Sequence, residues 1–217
     1  MLLLVLSLGA ALAAEEGSLL ARLEGEAQGL RPEVLAAALE RTRCGIDRGQ
    51  LDGPHHLAVV DFDLPSTARR LWLFDLQQGE LVLNTWVTHG SGTGEDLALT
   101  FSNVRNSHQS SPGLFRGAET YIGKHGLSLR LDGLDPGIND RARERDIVIH
   151  GADYARESHI AQFGRLGRSQ GCPAVSPELA PVLIERLAEG GAVFVWTSHG
   201  ARAEGPGGAC VAEPAPG

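Results

Sequence analysis

The chain is expected to be mainly β, with an N-terminal helical arm and one helix late in the sequence. Three features carry that expectation. Between Leu57 and Gly90 the runs LAVVDFD, LWLFDL and LVLNTWVTHG are rich in Val, Leu, Phe and Trp. Pro65-Ser66 and Gln77-Gln78-Gly79-Glu80 part them, which reads as a β-meander. Leu127–Gly133, LSLRLDG, alternates apolar and polar residues, as a half-buried strand does. Ile147–His150 (IVIH) and Ala192–Ser198 (AVFVWTS) have the composition of buried strands.

Taken in order, Met1–Ala14 is an apolar run that ends in small residues, and Ala11-Leu12-Ala13 fits a secretory cleavage site. It is too short to span a bilayer comfortably, so a signal peptide over residues 1–14 is the expectation and a buried apolar helix the alternative. Ser18–Cys44 has helical pattern. Pro32 suits a first helical position, Val34, Leu35, Ala38 and Leu39 share a face, and Cys44-Gly45 is the expected stop. Residues 15–54 are thus a helical arm and polar linker, with the arm expected to pack on the β domain.

His89-Gly90-Ser91-Gly92-Thr93-Gly94 closes the third run; no helix opens after it, so it is not a dinucleotide loop. A mobile loop beside a cleft suits it better, and His89 alone reads as structural. Phe101–Tyr121 is a long Ser-, Asn- and Gly-rich stretch, and loops of this length often form binding walls. The run RARERD, Arg141–Asp146, reads as a solvated connection. Ser176 is a candidate helix cap, although Pro181 points to a start nearer itself. Residues 201–217 read as a flexible tail.

At 217 residues, 42% hydrophobic and 21% charged, the composition is that of one globular domain with flanking segments. A net charge of −8 argues against nucleic acid as a partner. Of three cysteines, Cys44 and Cys210 flank the central region; a disulfide between them would leave Cys172 as the free thiol. Connectivity is not readable from sequence.

Chemistry concentrates in Ile147–Val175, IVIHGADYARESHIAQFGRLGRSQGCPAV. His150 ends a strand-like run and Cys172 sits in a glycine turn. Two readings stand side by side: a thiol nucleophile with its base, or a satisfied histidine and a buried structural cysteine. In the first, Gly171 lets the N–H groups of Gly171 and Cys172 converge on an oxyanion, and His150 accepts the thiol proton. Ser169 either holds the imidazole or substrate or pins the turn. Asp153 or a backbone carbonyl orients His150, and Arg165 and Arg168 are within reach of a substrate carboxylate. His150, His159 and Cys172 as zinc ligands is the chemical rival, but no H-x-x-x-H or C-x-x-C pair supports a metal.

At these residues the chain resembles the L,D-transpeptidases (YkuD-type domain), whose signature is HG at a strand end followed by S-x-G-C. WVTHGSG, FSN with QSSPG, TYIGKHGLSLRLDG, IVIHGADY and GRSQGCPAV are similar to the murein L,D-transpeptidase catalytic-domain subgroup, from about Leu57 to Trp196. The resemblance implies a β-sandwich or barrel-like catalytic domain over residues 55–200, with no cofactor. It also implies peptidoglycan stem peptides as partners and a bacterial envelope or periplasmic location. It places the nucleophile on Cys172, the base on His150 and supporting roles on Ser169, Gly151 and Gln170. Arg168, His89, Ser110, Ser111 and Tyr121 are candidates for substrate binding. Gln170 stands where the commoner family form has histidine, and Pro173-Ala174-Val175 replaces a hydrophobic residue followed by Arg or Asn, so substrate contacts made there do not carry over. A catalytically silent wall-binding domain and a cysteine endopeptidase on wall peptides are the alternatives.

Overall fold

Alternate residues of a strand point to opposite faces of its sheet, and here both faces carry a core. The computed structural model describes residues 18–199. In it β1 (His56–Asp61) sends Ala58 and Val60 to one apolar cluster and Leu57 and Val59 to another. β2 (Leu71–Asp75) divides likewise, Leu71 and Leu73 against Trp72 and Phe74. β3 (Glu80–Thr85) completes an antiparallel meander.

β4 (Gly113–Gly123) and β5 (Gly126–Gly133) form a hairpin, and β6 (Val148–Gly151) pairs antiparallel with β5. The two-residue β7 (Ala174–Val175) runs parallel to β6, and β8 (Ala192–Trp196) lies between β1 and β4. The strand order is β3-β2-β1-β8-β4-β5-β6-β7. The segment after β3 returns to β7: the Thr88 N–H donates to Ala174 O at 2.9 Å, and Gly90 forms a parallel bridge with Ser169. The sheet is therefore nearly closed and barrel-like.

The arm is part of the core. Helix α1 (18–26 among the described residues), the turn after it and α2 (Pro32–Asp47) bury Leu23, Leu30, and Val34 with Leu35, respectively, against Trp72, Phe74 and Phe194. Each such leucine contributes on the order of 2 kcal/mol. Between them Arg31 clamps the end of β1, with Nε and Nη2 donating to the fully buried Asp61 at 2.9 Å each and Nη2 to Asp63 at 2.8 Å. The helix does not stop at Cys44-Gly45 but runs on to Asp47. Gly45 lies inside it because a Cβ there would meet Leu114 and Leu51 at 3.0 Å.

Two later helices frame the site. α3 (Glu157–Phe163) follows a short 3-10 turn and buries no residue, so it leaves no apolar stripe in the sequence. α4 (Ala180–Leu187) puts Leu183, Ile184 and Leu187 on the inner core. It starts at Ala180, with Pro181 in its first turn and Leu179 at the cap position, so Ser176 is not its cap. No helix among the described residues is long and apolar enough to cross a membrane. The expected signal peptide, the C-terminal tail and Cys210 lie outside the described residues.

Candidate active site

β6 ends on His150-Gly151 because Ala152 leaves the sheet for the 3-10 turn, and the chain then wraps round to the cysteine turn beside it. That turn is braced from several directions. Ser169 Oγ donates to Cys172 O at 2.6 Å and accepts the Gly171 N–H at 3.1 Å. Ser110 Oγ donates to Gly171 O at 3.1 Å while accepting the Gly90 N–H at 3.0 Å. Gly171 has φ +119°, and a Cβ on it would sit 2.8 Å from Gln109 O and 3.0 Å from Ile147 Cδ1. Conformation and packing both require glycine there.

Cys172 is a half-buried free thiol. It lines a cavity of about 530 Å³ together with His150, Tyr121, Ser169, Gln170 and Arg168. Sγ donates to Asp146 O at 3.5 Å, and among the described residues no hydrogen bond joins it to His150. Burial pushes the thiol up, opposed by the backbone of Val148 and the charge of Arg145. Gly171's N–H is spent inside the turn, whereas the Cys172 N–H has no hydrogen-bond partner among the described residues. The oxyanion donor this turn can supply is therefore Cys172's N–H and not the expected pair.

His150 is 2% exposed on β6. Its Nδ1 lies 2.9 Å from Gly151 O, and a carbonyl can only accept, so Nδ1 carries the proton and Nε2 the lone pair. Nε2 makes no hydrogen bond yet is not a buried orphan, so it opens to the cavity. Asp153 does not orient the ring; its carboxylate pairs with Arg156. From the β4–β5 turn His125 stacks on His150, ring centroids 4.2 Å apart and planes 21° apart. Burial above all, then the charges of His125 and Lys124, holds His150 low against the hydrogen bond to Gly151. The resting pair is thus a neutral thiol and a neutral imidazole.

Several expected substrate contacts lie elsewhere. His89 is 1% exposed and away from the cavity. Arg70 Nη2 donates to its Nδ1 at 2.8 Å, and its Nε2 donates to Gly94 O at 3.3 Å. Burial and the Arg70 charge push it down to about 4. Ser110 and Ser111 are buried braces: Ser110 holds the cysteine turn, and Ser111 bonds Ser102 O and Arg145. The glycine loop is no free flap, since a Cβ at Gly90 would lie 2.3 Å from His108 O and 2.9 Å from Gly171. Arg168 does line the cavity but is paired with Glu95 at 2.7 Å. His159 turns to Arg165 O and Phe163. No group of three or more His, Cys, Asp or Glu among the described residues is arranged to hold a metal.

Arg145 escaped the sequence reading. It is half-buried, lines the cavity and donates only to neutral groups: Ser102 O, Ser111 Oγ and Gln109 O at 2.6 Å, and Ser107 Oγ at 3.2 Å. The signal that could have found it is its place in a charged run two residues before a buried strand.

Residues 26–196, which hold the arm, the sheet and this cavity, match the family model for the L,D-transpeptidase catalytic domain. The chain belongs to that family. The match takes in the helical arm from residue 26 onward. Among solved structures, an L,D-transpeptidase from Mycobacterium smegmatis is 14% identical with a TM-score of 0.41, covering 67% of this chain and 60% of that one. The helical cell shape determining protein Pgp2 from Campylobacter jejuni is 12% identical with a TM-score of 0.43, covering 71% and 51%. Bd1075 from Bdellovibrio bacteriovorus is 13% identical with a TM-score of 0.41, covering 66% and 48%. The chain therefore spans less than two thirds of the length of each. No curated protein matches it.

Proposed function

We propose that the chain is an exported bacterial acyltransferase of the cell envelope that acts on peptidoglycan stem peptides through a thioester on Cys172. The observation that carries this reading is the shared cavity of Cys172 and His150, where the bond from Nδ1 to Gly151 O leaves Nε2 free as base. His150 takes the thiol proton as Sγ attacks the carbonyl before a terminal D-residue, then returns it to the leaving amine. The Cys172 N–H faces the developing oxyanion. An amine of a second stem then resolves the thioester as a cross-link, or water resolves it as a carboxypeptidase would. The cavity has four cationic side chains, Arg105, Lys124, Arg145 and Arg168, against the carboxylates Glu144 and Asp146. With Arg168 paired to Glu95 and Arg145 bonded to neutral acceptors, Arg105 and Lys124 are the cavity's cations for meeting a substrate carboxylate.

Intact-protein mass after incubation with a carbapenem, alongside muropeptide turnover, tests the reading. The expected result is one adduct and released D-residue with the natural chain, and neither with Cys172→Ala. Full muropeptide turnover by Cys172→Ala would sink the mechanism. Sacculus binding with no adduct and no product would identify a silent wall-binding domain, and internally cut products an endopeptidase.

A further inference from the structure

Charged side chains placed out of water are normally paired, because an unpaired buried ion costs several kcal/mol. Arg145 departs from that rule. All four of its Nη hydrogens go to neutral acceptors on residues 102–111, and its Nε is buried with no partner. Arg41, the only other described arginine with such an Nε, is ion-paired to Asp135. Arg145 makes no ion pair among the described residues.

The location of this charge is specific. Arg145 lines the Cys172 cavity, and the next residue, Asp146, holds the thiol through its carbonyl at 3.5 Å. Asp146 adopts φ 54°, a left-handed conformation that costs a non-glycine residue energy. Its side chain turns to Arg130, at 3.3 Å. With every Nη hydrogen committed and Nε buried, the guanidinium has no donor left for a substrate carboxylate. It can act on the site only as a fixed charge.

We propose that Arg145 is a positioning residue for Cys172: an unpaired charge, caged by neutral acceptors, that stabilises the thiolate as it forms. The inference rests on Cys172 being the nucleophile. In the step concerned the S–H bond breaks, the electron pair stays on Sγ and the proton passes to Nε2 of His150; no other reactant is needed. The other charged and titratable groups that line the thiol's cavity are Asp146, Lys124, His150 and Tyr154, together with Arg105, His108, Tyr121, His125, Glu144 and Arg168. Asp146 opposes the effect, and exposed Lys124 adds to it under full solvent screening.

The test is the pH dependence of Cys172 alkylation by iodoacetamide, read by peptide mass so that only this thiol counts. Arg145→Gln should raise the midpoint by about one pH unit, which lowers the thiolate fraction about tenfold near neutrality. Arg145→Lys keeps the charge and should stay within a few tenths of a unit of the natural chain. An unchanged midpoint in a folded Arg145→Gln protein overturns the proposal. Should Arg145→Gln fail to fold, Arg145→Met serves as the neutral variant: a rise of about one unit upholds the charge effect, and a natural midpoint overturns it. Alkylation needs no peptide substrate, so the two readings fail separately. A midpoint that ignores Arg145 while Cys172→Ala is inactive removes only the charge effect. Turnover that survives Cys172→Ala removes the nucleophile.

Discussion

Of the chain's four His-Gly pairs, two have a buried histidine, His89-Gly90 and His150-Gly151, and they come to opposite ends. Both imidazoles are buried and both are held below the ordinary histidine range, chiefly by burial. What separates them is the count of committed ring nitrogens. His89 uses both, accepting from Arg70 and donating to Gly94 O, and is closed off beneath Phe62. His150 uses only Nδ1 and keeps Nε2 open to the cavity. An imidazole with both nitrogens engaged is a strut, and one with a free lone pair facing the cavity of a thiol is available to act as a base. Burial alone does not tell them apart.

The comparison breaks most visibly at His150. His150→Ala should lower kcat/KM on muropeptides about a thousandfold, the usual scale of a positioned general base. It should cost about 2 kcal/mol of stability, since one hydrogen bond to a neighbouring carbonyl and the stacking of a buried ring on His125 are lost. Urea unfolding beside steady-state kinetics measures both. A variant that unfolds while the residual folded protein works normally would make His150 another strut.

His89→Ala should show the reverse. Its removal strips Arg70 of one buried acceptor, takes one of two donors from Gly94 O, which keeps Arg168 Nη1 at 3.1 Å, and leaves a hole in the core, about 3 kcal/mol in all. Its kcat should stay within about threefold of the natural value at a temperature where it is folded. The pH dependence has a defined sign. His89 is held at about 4 in the fold against 6.5 unfolded, so the unfolded chain binds more protons in between. Stability is fully present above pH 6.5 and falls as pH drops towards 4, by about 3 kcal/mol from this group. His89→Ala should flatten that slope, and an equally steep slope in the variant would assign it to other groups.

How much of this was legible in the sequence depends on what each residue reports. The meander and the LSLRLDG strand announced themselves because alternation is local, and each face met its own core. The residue types at His150 and Cys172 state their chemistry, and a glycine before a cysteine states a tight turn. The sequence does not state which partners a side chain finds. Ser110 and Ser111 looked like cavity wall because their loop is long and polar, and His89, structural by itself, stood as a substrate contact beside the family resemblance. They are braces because the loops fold inward on the cysteine turn. Arg145 sat in a run that reads as solvated, and its acceptors lie more than thirty residues away. α3 stayed hidden because a helix that buries nothing has no stripe to read.

The finest distinction concerns how the base is aimed. In many thiol–histidine and serine–histidine sites a carboxylate orients the imidazole, and removing it costs orders of magnitude in rate. Here Asp153 is three residues from His150 and would be the natural choice. Its side chain is 88% exposed and paired with Arg156 at 3.0 Å, while Gly151 O accepts the hydrogen bond from Nδ1–H. Asp153→Asn should therefore leave kcat within about twofold and stability within about 0.5 kcal/mol, the scale of an exposed ion pair. A hundredfold loss of kcat would mean that Asp153 swings onto His150 once substrate is bound. The tautomer would then be held by a carboxylate during turnover. A silent substitution leaves Gly151 O as the anchor, and the lone pair on His150 Nε2 is then fixed by the backbone of β6 itself.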